Sequence, residues 1–390
     1  MAEAYIVAAV RTASGRRNGR LSGWHPADLA AQTLDALVDR TGIDPELIDD
    51  VIMGCVGQAG EQALNIGRNA VLASKLPESV PGTSIDRQCG SSQQALHFAA
   101  QAVMSGTMDI VIAAGVESMS RVPMGTATDF LQKNGFGSFM SPAMQARYPG
   151  KRFSQFDGAE LVAQKYALQK DAMDRFALES HRKAAAATQA GLFANEITPV
   201  EIRLENGDSE WHQTDEGIRY DASLESIAKV KLLSEGGTAT AASTSQISDG
   251  AAALLIVNEA GLKKLNVAPL ARIHHIGLLG HDPVIMLEAP VHATLKSLKK
   301  AGMTIDDIDL FEVNEAFASI PLAWLQGTGA DPQRLNVNGG AIALGHPLGA
   351  SGARLMTTLV NALHQKQKRF GLQTMCELGG LANVTIVERL

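Results

Sequence analysis

Unbroken apolar runs alternate along this chain with stretches whose apolar residues recur every three or four positions, the pattern of an α/β protein. Residues 5–10 read as an opening strand, and 27–41 as an amphipathic helix after a loop rich in Gly, Arg and Asn. A second apolar run spans 50–54, a helix 65–76, and a strand 82–85 that runs into the loop Asp86-Arg87-Gln88-Cys89-Gly90-Ser91-Ser92. An Ala- and Gln-rich helix then reaches about residue 104. The continuous run 109–114 has the character of a strand buried on both faces.

Between about 117 and 245 the character changes to loops with Met, Pro, Gly and Arg, one helical stretch at 158–190, and polar turns around 206–216. This reads as an insertion, after which 249–257 restores a buried strand. The last third repeats the opening plan: strand 271–277, helix 291–301, strand 308–313, a glycine-rich loop, helix 353–364 and closing strand 384–390. The pattern predicts an internal duplication at about 250 residues, longer than any solenoid period. The expected domains are 1–118 with 246–268, the insertion 119–245, and 269–390.

A chain of 390 residues exceeds one ordinary core. Hydrophobic residues at 45% and charged residues at 19% suit a globular enzyme and exclude the signature of disorder. The net charge of −7 argues against nucleic acid as a partner and requires a local cluster for any anionic ligand. Three cysteines cannot build a disulfide framework, and no CxxC spacing suggests zinc, so no metal is expected. The opening segment carries Glu3 and no basic leader, and no run approaches the ~18 apolar residues of a membrane helix. A cytoplasmic protein without a membrane partner is expected.

Cys89 stands between a strand and a helix, where a helix N-terminus lowers a thiol below its usual ~8.5; by itself it reads equally as a small core residue. Cys55 reads as core. His346 lies in Gly339-Gly340-Ala341-Ile342-Ala343-Leu344-Gly345-His346-Pro347, and a neutral imidazole near Cys89 could take its proton. His274, His275 and His281 lack such a context and read as structural. Cys376, expected in a glycine-bearing loop after a strand, could act as acid and base on carbon. Asn314 could donate to an oxyanion or serve as a helix N-cap.

Together these segments resemble the thiolases over essentially the whole chain. The resemblance rests on the Cys89 loop, Val116-Glu117-Ser118-Met119-Ser120, Asn314-Glu315-Ala316-Phe317, the run 338–352, and Cys376 with its glycines. It implies an α/β, five-layered αβαβα fold of two duplicated domains with an inserted loop domain. It also implies ping-pong chemistry on 3-oxoacyl-CoA, in which His346 deprotonates Cys89, Cys89 carries the acyl group and Cys376 handles the carbon proton. One oxyanion hole falls to His346 with a water held by Asn314, the other to the backbone N–H groups of Cys89 and Leu378. Arg219 and Ser245 are the implied coenzyme A contacts. Coenzyme A enters as a co-substrate with no tightly bound cofactor, and a homodimer or homotetramer is expected.

Two positions depart from the family pattern. Leu378 replaces a usual glycine, which predicts strain if that residue needs a positive φ. Gln155 and Phe156 replace a usual Met-Gly pair and point to an acyl group other than acetoacetyl, because thiolases for branched or steroid side chains share them. The alternatives are a biosynthetic acetoacetyl-CoA thiolase, a decarboxylating condensing enzyme of the same fold, and a coenzyme A-binding subunit whose activity Leu378 has impaired.

Overall fold

A computed structural model describes residues 2–204 and 206–390. The opening run forms β1 (Tyr5–Thr12). Helix α1 (Pro26–Thr41) has Pro26 in its first turn and ends at Gly42, whose φ of 61° suits glycine. Then come β2 (Asp50–Gly54), α2 (Ile66–Ala73), β3 (Gly82–Ile85), α3 (Ser91–Ser105) and β4 (Ile110–Ser118). The inserted region holds α4 (Gln155–Lys165) and α5 (Lys170–Gln189), and β5 (Ser248–Val257) follows it. The second half contains β6 (Ala271–Gly280), α6 (Ala289–Ala301), β7 (Leu310–Val313), α7 (Ser319–Thr328), α8 (Ser351–Gln365), β8 (Phe370–Glu377) and β9 (Leu381–Arg389).

These strands follow one path, β7-β8-β9-β6-β1-β5-β4-β2-β3. The order β1-β5-β4-β2 recurs as β6-β9-β8-β7, with parallel pairing β2–β4 and β7–β8 and antiparallel pairing elsewhere. Where β3 lies beside β2, the second half has only a parallel bridge between Phe311 and Leu335. The two halves meet through Tyr5↔Arg272 and Ile6↔Ala271.

The buried side chains define five layers. Leu29, Leu34 and Leu37 of α1 and Val71 of α2 pack on one face of the first half's strands. Leu96 and Val103 of α3 meet Met356 and Leu359 of α8 between the two sets of strands. Val291 of α6 and Trp324 of α7 cover the far face of the second set with Phe311 and Leu372. Strands buried on both faces explain the continuous apolar runs.

Three expectations need correction. The single helix at 158–190 is two helices, because Ala167 takes φ 52° and Leu168 N–H turns back to Ala163 O at 2.8 Å. The polar stretch after 200 is a hairpin of Val200–Arg203 and Ser209–His212, with Gly207 at φ 91° in its turn. Cys376 lies inside β8, one residue before its end, and the glycines form the turn that follows. No helix among the described residues is long and apolar enough to cross a membrane.

Candidate active site

The Cys89 loop is a tight turn held by its own polar groups. Asp86 Oδ1 accepts from Gln88 N–H at 2.6 Å, Ser91 Oγ accepts from Arg87 N–H at 2.9 Å, and the same hydroxyl donates to Gln88 O at 2.6 Å. Gln88 is driven to φ 51°, a costly conformation for a residue with a Cβ, and the turn leaves Cys89 half-buried ahead of α3. Gly90 is required by its neighbour across the interface of the halves: a Cβ there would lie 2.0 Å from Glu377 Oε1. The Cys89 loop is thus pressed against the end of β8.

Cys376 is buried at that end, packed with Met286, Leu287 and Phe317. Burial and the neighbouring Glu377 push its thiol up to about 12, so it keeps its proton at neutral pH. Cys89 is also pushed well up, by burial first and then by Cys376 and Glu377. The lowering expected from the helix N-terminus is therefore outweighed, and Cys89 needs a base. Glu377 makes no well-formed hydrogen bond through either oxygen; its burial, only partly offset by the Arg87 charge and the Asn383 N–H, holds the carboxyl well above its usual range.

His346 follows Gly345, whose φ of 85° and close approach to Ser248 leave no room for a side chain. The His346 backbone N–H donates to Gln246 O at 3.0 Å and Ser248 Oγ at 3.1 Å. Its Nδ1 lies 2.6 Å from Ser351 Oγ, which donates its single proton to Pro347 O at 2.9 Å. Nδ1 consequently carries the imidazole proton and Nε2 the lone pair. Burial, helped by the charge of Arg354, lowers His346 to about 3, so the ring is neutral and able to accept a proton. Asn314 Nδ2 lies 3.5 Å from Nε2, while Asn314 Oδ1 is buried and makes no hydrogen bond within the protein. Asn314 caps no helix, since α7 begins at Ser319.

Leu378 is absent from the residues with positive φ; the left-handed positions are Gly379 (φ 87°) and Gly380 (φ 78°). The predicted strain is therefore not there. Its side chain is half-buried against the apolar cluster containing Cys376, Phe317 and Ala159. Phe156, 45% exposed on the first turn of α4, stands edge-on to Phe317 with centroids 5.6 Å apart. Gln155 beside it reaches Met124 Sδ at 3.8 Å. Arg219 is exposed at a pocket of about 370 Å³ shared with His181, Ala241, Gln246 and Ile342. Ser245 lies outside that lining, beside Gln246, with its N–H on Ala316 O at 3.0 Å.

Sequence reasoning missed Ser351, Glu377 and Arg354. A serine five residues after His346 and a charge inside an apolar strand were the available signals. Glu117 and Glu315, both in the matched motifs, are framework. Glu117 accepts from the N–H groups of Val56, Gly57 and Gly349 and from Gln62 Nε2. Glu315 accepts from Ser180 Oγ, Asn336 Nδ2 and Ile342 N–H. Cys55 is fully buried, as expected.

Two thiols from opposed halves, a neutral imidazole and an amide can carry an acyl group on sulfur and move protons to and from it, the equipment of a cysteine-dependent acyltransferase. The chain matches the thiolase N-terminal domain over residues 4–260 and the thiolase C-terminal domain over 267–389. It is 52% identical to the steroid 3-ketoacyl-CoA thiolase FadA6 of Mycobacterium tuberculosis, covering all of this chain and 95% of that one. Identity to a 3-ketoacyl-CoA thiolase of Photorhabdus laumondii is 41% over the full length of both. The crystal structure of the Bacillus anthracis acetyl-CoA acetyltransferase superposes with a TM-score of 0.91 at 33% identity, covering 100% and 99% of the two chains. The chain belongs to the thiolase family, acyltransferases that use coenzyme A as co-substrate.

Proposed function

We propose that this thiolase cleaves bulky 3-oxoacyl-CoA esters with coenzyme A, releasing acetyl-CoA and an acyl-CoA two carbons shorter. The observation that carries this reading is a half-buried Cys89 whose thiol is raised by burial and by the neighbouring Cys376, which keeps its own proton, in a chain whose His346 is held neutral with Nε2 free to accept one. His346 Nε2 takes the Cys89 proton, and the thiolate adds to the 3-keto carbon. The bond between C2 and C3 then breaks; its electron pair stays on C2, which takes the Cys376 proton and leaves as acetyl-CoA. Incoming coenzyme A gives its thiol proton to Cys376 and attacks the acyl carbon, and Cys89 departs with the proton from His346. The oxyanions face His346 with a water on Asn314, and the N–H groups of Cys89 and Leu378.

Arg219 and Ser245 are assigned to coenzyme A, within an insertion 119–245 set between domains 1–118 with 246–268 and 269–390. An arginine at the rim of the Gln246 pocket suits an anionic nucleotide. Phe156 and Gln155 are assigned to the acyl group: an exposed phenyl ring resting on Phe317, next to the Cys376 cluster, favours a large ring system, in keeping with the substrate named for the mycobacterial relative. The free edge of β3 at the end of the sheet suits a second copy, supporting a homodimer or homotetramer. Three free cysteines suit a reducing cytoplasm.

The test is thiolysis of acetoacetyl-CoA, straight-chain 3-oxoacyl-CoAs and a polycyclic 3-oxoacyl-CoA, followed by acetyl-CoA release. The polycyclic ester should show the highest kcat/KM. A preference for acetoacetyl-CoA would overturn the acyl assignment, and no thiolysis of any ester would overturn the reaction.

A further inference from the structure

One group of side chains outside the acyl-transfer cluster has no part in that chemistry. His281 lies in the loop after β6, Glu288 immediately precedes α6, and His292 sits one turn inside it, so Glu288 and His292 share a helix face as residues i and i+4. One donor atom from each lies within 4.8 Å of the others. His281 Nε2 is 3.4 Å from Glu288 Oε2, and His292 Nε2 is 3.5 Å from Glu288 Oε1. Ligands about 2.0–2.1 Å from a tetrahedral zinc ion are separated by about 3.3 Å; each histidine already stands near that spacing from one carboxylate oxygen, and side-chain rotation would draw the set, now within 4.8 Å, around one ion.

The local chemistry points the same way. The Glu288 side chain is 1% exposed, whereas those of His281 and His292 are 28% and 42% exposed, which leaves a route in from solvent. His292 Nε2 is itself buried and makes no hydrogen bond, and the two rings stand 4.6 Å apart at 41°. The Glu288 carboxylate already holds a cation: Lys165 Nζ lies 2.7 Å from Oε1 and 2.9 Å from Oε2, and Tyr166 Oη donates to Oε1 at 2.8 Å. Lys165 is 53% exposed, so its ammonium can swing into water.

We propose that His281, Glu288 and His292 form a binding site for a divalent transition-metal ion of the zinc class, in competition with the Lys165 ammonium. The site uses none of the acyl-transfer residues, although Leu287, next to Glu288, packs in the cluster with Cys376, and it does not depend on the reaction assigned to the cysteines. It lies where α4 meets the second half: Lys165 and Tyr166 close the helix that begins with Gln155 and Phe156, and Met286, just before Glu288, packs on Gly158 of α4. An ion there would exchange a tie between α4 and Glu288 for a bond set wholly within the second half.

The test uses chelator-treated full-length protein whose Cys89 is capped with iodoacetamide, titrated with Zn2+ by calorimetry and with Co2+ by absorption. One equivalent should bind, with a cobalt spectrum of nitrogen and oxygen ligands and no thiolate charge-transfer band. His281→Ala and His292→Ala should each weaken binding about tenfold or more, and Lys165→Met should tighten it about tenfold by removing the competing cation. Circular dichroism confirms that each variant is folded; Glu288, being buried, is left intact. Absence of saturable binding in both wild type and Lys165→Met would overturn the proposal. Binding that both histidine variants retain, a thiolate band, or a Lys165→Met affinity no tighter than wild type would do the same.

Discussion

Two corresponding corners of the duplicated fold have opposite characters. Glu117 and Cys376 each lie two residues beyond a parallel pair, Gly54↔Gly115 in the first half and Val313↔Thr374 in the second. Cys55 and Asn314 each lie one residue beyond the same pairs on the partner strand. In the first half the acid and thiol are locked in place: four donors saturate Glu117, and burial with Glu117 beside it pushes the Cys55 thiol far up. In the second half the same places hold a thiol and an amide with an unpartnered oxygen, next to a carboxyl with no well-formed hydrogen bond. One copy puts its polar groups into rigidity; the other leaves them poised for a ligand.

The comparison breaks most readily on the reactive side. Cys89→Ala should lower kcat/KM by about 10³-fold or more in the thiolysis assay. Cys376→Ala should block carbon–carbon cleavage to a similar degree, yet leave acyl transfer from a simple acyl-CoA to Cys89 visible by mass spectrometry. Equal loss of both activities would refute the division of labour between the thiols.

On the framework side, Glu117→Ala strands buried donors from three N–H groups and Gln62, and should cost about 3–5 kcal/mol in denaturant unfolding. A loss under about 1 kcal/mol would remove the contrast with the second half.

Ser351→Ala frees the His346 ring to take the other tautomer and should cut kcat about 10–100-fold with little change in KM. Since His346 is lowered to about 3 from 6.5, it should give no inflection near 6.5 in kcat/KM. In stability the sign is fixed by linkage. Between those two values the unfolded chain binds the proton and the folded one does not, so the contribution of His346 is lost as pH falls through that window. A Ser351→Ala profile matching wild type would refute the tautomer assignment.

The Glu377 carboxyl is raised, so the unfolded chain sheds its proton first and the folded state loses stability as pH climbs above 4.5. Glu377→Gln should therefore gain stability over wild type as pH rises above 4.5, read as a widening difference in denaturant midpoint between the two proteins. The smallest effect belongs to Leu378→Gly, expected to cost about 1 kcal/mol of packing and to change kcat/KM by less than about threefold. A large gain in activity would reinstate a strained or obstructed oxyanion hole.

Much of this was legible in the chain. The runs at 109–114 and 249–257 read as strands enclosed on both faces and are such strands, and the helices expected to end at 41 and 301 do so, each followed by a glycine at positive φ. The break at Ala167 was hidden because no Gly or Pro marks it; α4 turns aside to pack on α7, a tertiary demand that local pattern does not carry. The site was legible where glycines crowd a reactive residue. It was illegible where the deciding contact spans the halves: nothing near Gly90 in sequence reveals Glu377 against it, and nothing near Cys89 reveals that burial outweighs the helix terminus. Leu378 misled because the positive φ lies at the next two residues.

The central pair of helices has a consequence for synthesis on the ribosome. The face of α3 that meets α8 has no cover until residues some 250 positions later have emerged, so the first half waits with an apolar helix face and Cys89 beside it. The imidazole proposed to accept the thiol proton, that of His346, arrives on the loop that precedes α8. On the proposed mechanism, reactivity is thereby tied to completion: a truncated chain would hold Cys89 without His346, and the thiol would gain its base only when the second copy docks.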